Sequence, residues 1–159
     1  MPMFAARALL PINLASASEG VSARSDEQRA QAPALCDALD DFTELLSVLD
    51  EAWTVIDLAT GKFLYANDQA TRMFGLRLDE LLAADPVQLS PAVQPDGSNS
   101  AEALERFMAQ AIDRRTASFP WVHTSRSGVQ IPCDVTFVGV VLDWAPVVFA
   151  RLQPRVRKF

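Results

Sequence analysis

Val55-Ile56-Asp57-Leu58-Ala59-Thr60-Gly61-Lys62-Phe63-Leu64-Tyr65-Ala66-Asn67 is the stretch that decides the fold. Trp53 to Leu58 is rich in β-branched and aromatic side chains, which suit a pleated, half-buried surface, and so predicts a strand. Thr60-Gly61 turns the chain and Lys62 to Ala66 predicts a second strand, the pair forming a hairpin. Asn67 then caps a short helix, its side chain accepting from backbone N–H groups that the first turn leaves unpaired. Ala70, Met73 and Phe74 share one face of that helix, and Gly75 is its expected stop. A further helical turn is predicted from Asp79 to Ala83.

Upstream, Leu35, Leu39, Phe42, Leu46 and Leu49 recur at spacings of four and three, which predicts an amphipathic helix over 34–51. The same spacing is the pattern of a coiled-coil seam. The run is too short to separate a dimer seam from a helix packed on its own domain. Downstream, Pro86, Pro91, Pro95 and Gly97 mark a loop with at most one helical turn. Asn99 and Glu102 stand at capping-box spacing, and Leu104, Phe107, Met108, Ala111 and Ile112 form a clear helical stripe ending at Arg114-Arg115. Phe119, Trp121 and His123, then Ile131, Cys133, Val135 and Phe137, alternate with more polar positions and predict a hairpin with these side chains on its buried face. A last strand is predicted from Val147 to Leu152, after Gly139 and Asp143.

The bulk numbers suit one globular domain: 159 residues, 50% hydrophobic and 21% charged. A net charge of −6 argues against a nucleic-acid binder, which needs clustered cations. No apolar run approaches the length of a membrane helix. Arg7 precedes a short apolar stretch, but Pro11 and Asn13 interrupt it early, so 1–33 reads as a flexible leader and not a signal peptide. Cys36 and Cys133 are widely spaced and signal neither a disulfide framework nor a metal knuckle, which favours reduced thiols and a cytoplasmic setting.

The order of elements, with these residues, resembles the PAS domain family. Val55 to Asn67 is similar to the family's opening hairpin, strand–Asp–turn–Gly–strand–Ala-Asn. Met73-Phe74-Gly75 followed by Asp79-Glu80-Leu81-Leu82 resembles its next segment, a helix ending at Gly and then an acidic Glu-Leu-Leu turn. Gln94-Pro95-Asp96-Gly97, and Trp121 and His123 followed by Gly128, resemble elements of one bacterial branch. The chain departs from the family at Arg77-Leu78, where a Ser or Thr cap usually stands, and at Gln153-Pro154-Arg155, where Asp-Ile-Thr usually leads to an output helix. The resemblance implies an α/β (α+β) fold with a five-stranded antiparallel sheet, helices on one face and an N-terminal amphipathic helix. It implies a sensory or protein-interaction role, as a module acting in trans or as the sensory part of a larger signalling protein.

Little in the sequence points to catalysis. The one histidine, His123, has three roles open to it: a general base, a haem ligand, or a polar group in a core or pocket. The last is preferred, because no orienting partner accompanies it. Haem-binding members of the family generally take a histidine from the long helix, and Ser100 to Arg115 contains none. Photoreactive members carry a Cys after the Glu-Leu-Leu turn, where this chain has Ala83-Ala84-Asp85-Pro86-Val87. Neither haem nor a photoreactive flavin is therefore expected, and no metal ligand set is recognised. Cys133 reads as a small buried hydrophobe. The acidic pairs Asp40-Asp41, Asp50-Glu51 and Asp79-Glu80 read as solvated surface.

The chain is thus expected to comprise a leader over 1–33, an amphipathic helix over 34–51, a PAS-like domain over 52–153 and a basic tail over 154–159. Ile56, Met73, Phe107, Trp121, His123, Cys133, Val135 and Phe137 are expected to line a cleft that holds a small apolar ligand, or else to fill a core. Leu35, Leu39, Phe42, Leu46 and Leu49 are expected to form a homodimer interface, with a signalling protein as a further partner and no nucleic acid or membrane. Two alternatives stand beside this: a small isomerase-like enzyme with His123 as base, and a pure dimerisation module.

Overall fold

The computed structural model describes residues 39–142 and 145–156. Residues 39–47 are helical (α1). Strands β1 (Ala52–Asp57) and β2 (Phe63–Ala66) follow, then helices α2 (Asp68–Phe74), α3 (Leu78–Ala83) and α4 (Ser100–Arg114), then strands β3 (Thr116–Thr124), β4 (Gln130–Leu142) and β5 (Ala145–Pro154). The strands form one five-stranded sheet in the order β2-β1-β5-β4-β3, and every neighbouring pair is antiparallel. The first strand therefore pairs with the last, and this long-range ladder joins the opening hairpin to the closing three-stranded meander.

Local chemistry explains the first half of the chain. The Asp57 carboxylate accepts from Ala59 N at 2.9 Å and from the Thr60 hydroxyl at 3.0 Å, closing a turn completed by Gly61 at φ 69°. Asn67 caps α2, accepting from Ala70 N at 3.1 Å, and Gly75 ends it in the left-handed conformation. The cap missing before α3 is supplied from the other side: Glu80 reaches back to accept from Arg77 N at 3.0 Å. The same carboxylate pairs with Arg126 at 2.7 Å, tying α3 to the β3–β4 turn. Asn99 caps α4 as expected, accepting from Ala101 N and Glu102 N.

The sheet has two differently covered faces. On one, Ile56, Phe119, Trp121, Val135 and Phe137 pack beneath Ala70, Phe74, Leu81 and Leu104 of the helices α2–α4. On the other, Val55, Val147 and Phe149 pack against Leu46 of α1. Sequence reading ended the fourth strand at Gly139; the strand runs on to Leu142, and Gly139 pairs with Val148. The glycine marks a crossing, because a Cβ there would drive into the Ala111 carbonyl of α4. The last strand is likewise longer than expected, running to Pro154.

Candidate functional site

Two hollows meet where α4 crosses the sheet. The outer one is a groove of about 570 Å³ between α4, the β1–β2 turn and the loop at 85–88; Leu58, Pro86, Val87, Leu104, Met108 and Ile112 supply its apolar wall. The inner one is a void of about 20 Å³ between the sheet and the helices, lined by Ile56, Phe74, Trp121, His123, Val135 and Phe137 among others. Pro86 and Leu104 belong to both linings, so those two side chains form the partition between them. Leu104 sits on α4 and Pro86 on the loop facing it, which places the partition between two separately anchored elements.

His123 and Thr54 are the two polar residues in the wall of the inner void, and both are buried. His123 is 7% exposed, and among the described residues neither ring nitrogen has a hydrogen-bond partner. Its ring stands edge-on to Phe74, with centroids 5.2 Å apart. Burial pulls its pKa down to about 4; the nearby Leu89 carbonyl offsets part of this without meeting hydrogen-bond geometry. The imidazole is therefore neutral at pH 7, carrying one donor and one acceptor, both unused.

The expected cleft residues divide. Ile56, Trp121, His123, Val135 and Phe137 surround the inner void. Met73, Phe107 and Cys133 do not. Phe107 stacks on Phe119, with centroids 3.7 Å apart, and meets Trp121 edge-on at 6.4 Å. Trp121 is fixed by its indole N–H, which donates to the Ser90 hydroxyl at 3.0 Å. Cys133 is fully buried, and burial pushes its thiol up to about 11, so it stays protonated. The groove itself went unread. Its signal was the width of the α4 stripe, where Leu104, Met108 and Ile112 make a second row beside the buried Ala103 and Ala111.

Gln94 was read as part of the Gln94–Gly97 loop, but its contact with β3 was not. The side chain is buried and treats the edge of β3 as a neighbouring strand would: Oε1 accepts from Val122 N at 2.8 Å and Nε2 donates to Val122 O at 3.2 Å. Of the interface residues, Leu46 is buried against the sheet, Leu39 is partly buried there, and Phe42 meets Phe149 edge-on at 5.4 Å. Leu49 is exposed and Leu35 lies outside the described residues. Leu45 and Val48, 59% and 75% exposed, extend the apolar rim of α1. Among the described residues no group of three or more His, Cys, Asp or Glu is placed to hold a metal, and no helix is long and apolar enough to cross a membrane.

A five-stranded antiparallel sheet, with three helices over one face around a small internal void, defines an α+β domain. The sequence profile of the PAS domain family matches residues 51–151. The chain belongs to the PAS domain family, whose members are signal-sensing and interaction modules. Solved structures agree on the fold. A PAS domain from a protein of Colwellia psychrerythraea superposes with a TM-score of 0.62 at 11% identity, covering 76% of this chain and 99% of that one. One from a two-component sensor histidine kinase gives 0.58 at 14%, covering 74% and 96%. One from Desulfitobacterium hafniense gives 0.57 at 20%, covering 70% and 99%. No curated protein sequence matches the chain.

Proposed function

We propose that this PAS domain senses a small apolar molecule that lies in the α4 groove and reaches the void beside His123. The observation that carries this is the shared partition: Pro86 and Leu104 line both the large apolar groove and the inner void, whose wall includes the buried His123. A modest displacement of the loop at 85–88 from α4 joins the two hollows. An apolar lining with few polar handles is the usual composition of a small-molecule site. The reading is of a non-catalytic module, because among the described residues no side chain hydrogen-bonds His123 to orient it. A cytoplasmic setting goes with it, supported by two cysteines that make no disulfide framework.

Output belongs to the opposite face of the sheet. There the exposed apolar rim of α1, formed by Phe42, Leu45, Val48 and Leu49, fits a second copy of the chain or a signalling partner, and the homodimer is the version proposed. Native mass spectrometry of protein purified from its own host tests both parts together. The expected result is a dimer carrying a bound small molecule, with the ligand mass absent from Leu104→Trp, which fills the partition. Recovery of ligand-free protein that no apolar additive stabilises would sink the sensing role.

A further inference from the structure

We infer that a segment of this chain outside the described residues, Phe4 to Leu14, docks in the α4 groove when no ligand fills it, so that the signal molecule has to displace the protein's own leader. The docking stands on the groove alone; the competition rests on the proposed sensing role. Composition is the first argument. Residues 1–18 carry a single charge, Arg7, and include Phe4, Leu9, Leu10, Ile12 and Leu14. Apolar side chains at that density gain by leaving water. The groove, about 570 Å³ and walled by Leu58, Val87, Leu104, Met108 and Ile112, offers them an apolar hollow. Its size falls within the range of about 300–1,000 Å³ typical of sites for small ligands, which is room for a few side chains and not for a folded partner.

Charge is the second. The groove lining holds two carboxylates, Asp85 and Glu105. Lys62 stands 3.6 Å from Asp85 and answers that one. Glu105 is exposed and, among the described residues, forms no ion pair. Arg7 stands in the segment between Phe4 and Leu9-Leu10, so it can meet Glu105 in solvent while its apolar neighbours enter the hollow. An exposed pair of this kind sets register more than affinity. Path is the third. Leu46 of α1 accepts from Asn67, which also accepts from Trp53 N at the start of β1. Phe42 meets Phe149, and Phe149 pairs with Val55 in the middle of β1. Followed backwards, α1 therefore runs towards the end of β1, where Thr60-Gly61 and Pro146 form part of the groove wall. The chain leading into α1 arrives at the groove's end of the sheet. Residues 15–38 connect the segment to Leu39. At up to about 3.3 Å per residue that length reaches far beyond the radius of gyration of such a domain, roughly 13 Å. The tether makes docking intramolecular, so a weak contact suffices.

The test reads the methionine methyl groups of the full chain by 13C NMR. Met108 lines the groove and Met73 does not, so Met73 reports on the fold and Met108 on the site; Met108→Leu and Met73→Leu assign the signals. Phe4→Glu with Leu9→Glu and Leu10→Glu is expected to move the Met108 signal and leave Met73 in place. A peptide of residues 1–18, added in trans to that triple variant, is expected to restore the signal saturably. Arg7→Glu is expected to move Met108 part of the way, and Arg7→Glu with Glu105→Arg to bring it back. A Met108 signal unmoved in the triple variant overturns the docking and leaves the groove to external ligands. A wild-type signal that changes on dilution means that the segment enters a second copy, which overturns docking within one chain. Failure of the charge swap to recover the signal overturns the Arg7–Glu105 contact. Toluene, a neutral apolar probe, separates the leader from the sensing role. It is expected to shift Met108 of the triple variant at about tenfold lower concentration than in the wild type, as for a site nine-tenths occupied by its competitor. If the leader docks but toluene binds neither form, the sensing role fails and the docking stands. If toluene binds both forms equally, the competition is overturned.

Discussion

The two faces of the sheet are built to different standards. The inner face is closed over by α2, α3 and α4, with Phe107 and Phe119 in ring-to-ring contact and only a water-sized void left among the side chains. The outer face carries α1, which buries Leu46 but leaves Leu45 and Val48 in solvent. A face that is closed except at one unpaired polar group is suited to discriminating a ligand. A face whose cover leaves apolar surface exposed is suited to changing partners or position. In the proposed function, sensing lies on one side of the sheet and output on the other, with the sheet as the shared wall.

The largest expected effect lies on the inner face. Trp121 is buried, packs on Phe107 and Phe119, and holds Ser90. Trp121→Ala is expected to cost about 3–5 kcal/mol in urea melts, the range for truncating a buried aromatic. A loss under about 1 kcal/mol would mean that the inner face is loosely packed and would remove the contrast between the faces.

Next comes acid. His123 has a folded pKa lowered to about 4, below its ordinary value of 6.5, because burial disfavours the charged ring. The unfolded chain therefore binds the proton first. Stability from this residue is complete above pH 6.5 and is lost as pH falls from there towards 4, by about 3 kcal/mol in all. Glu80, Asp134 and Asp79 have lowered values too, Glu80 chiefly through the Arg77 backbone N–H and Asp134 and Asp79 through Arg155 and Arg77. Their contribution is lost further towards acid, so His123 dominates the upper part of the window. Melts at pH 7, 6 and 5 are expected to show a decline that is absent from His123→Leu. A decline unchanged in that variant would show that the imidazole is satisfied in solution.

A single side chain crosses between the two faces. Asn67 donates to Leu46 O at 3.0 Å and Glu51 O at 2.8 Å, and accepts from Trp53 N at 3.0 Å and Ala70 N at 3.1 Å. It thus joins the end of α1, the start of β1 and the first turn of α2, and it is buried. Asn67→Asp keeps the acceptor that caps α2 and turns both donations into carboxylate–carbonyl repulsions. It is expected to cost about 2 kcal/mol and, in hydrogen exchange, to loosen 43–47 more than 100–114. Equal loosening of both segments would mean that the faces melt as one unit and are not separately adjustable.

What the sequence made legible is what neighbours in sequence settle among themselves. Asp57, Gly61, Asn67, Gly75 and Asn99 each satisfy backbone groups within about four residues, and the turns and caps expected from them are present. The inner-facing strand residues were legible for the same reason, since alternation is local. The groove, the Gly139 crossing and the Gln94 clasp were not. Each depends on how closely α4 or the loop at 85–98 approaches a strand far away in sequence, and no local spacing encodes that distance. Of the four bonds of Asn67 one was legible: its cap was read, while its acceptance from Trp53 N and its donations to Leu46 and Glu51 needed the third dimension.

The smallest effect on folding is expected at the rim of α1, and it is the sharpest test of the outer face. Substituting the stripe itself confounds two roles, because Leu46 is buried against Val55, Val147 and Phe149. Leu46→Glu would detach α1 from its own sheet whether or not a dimer exists. Leu45 and Val48 are exposed, so Leu45→Glu with Val48→Glu removes apolar rim without opening the core. Surface changes of this kind usually shift stability by no more than about 0.5 kcal/mol. The variant is therefore expected to melt like the wild type yet sediment as a monomer at concentrations where the wild type is a dimer. Carboxylates introduced into a two-fold interface would be brought near the partner's pair, so repulsion would add to the lost apolar burial. A wild type that sediments as a monomer at high concentration removes the homodimer and leaves the rim to a different partner. A double variant that stays dimeric places the interface elsewhere on the domain.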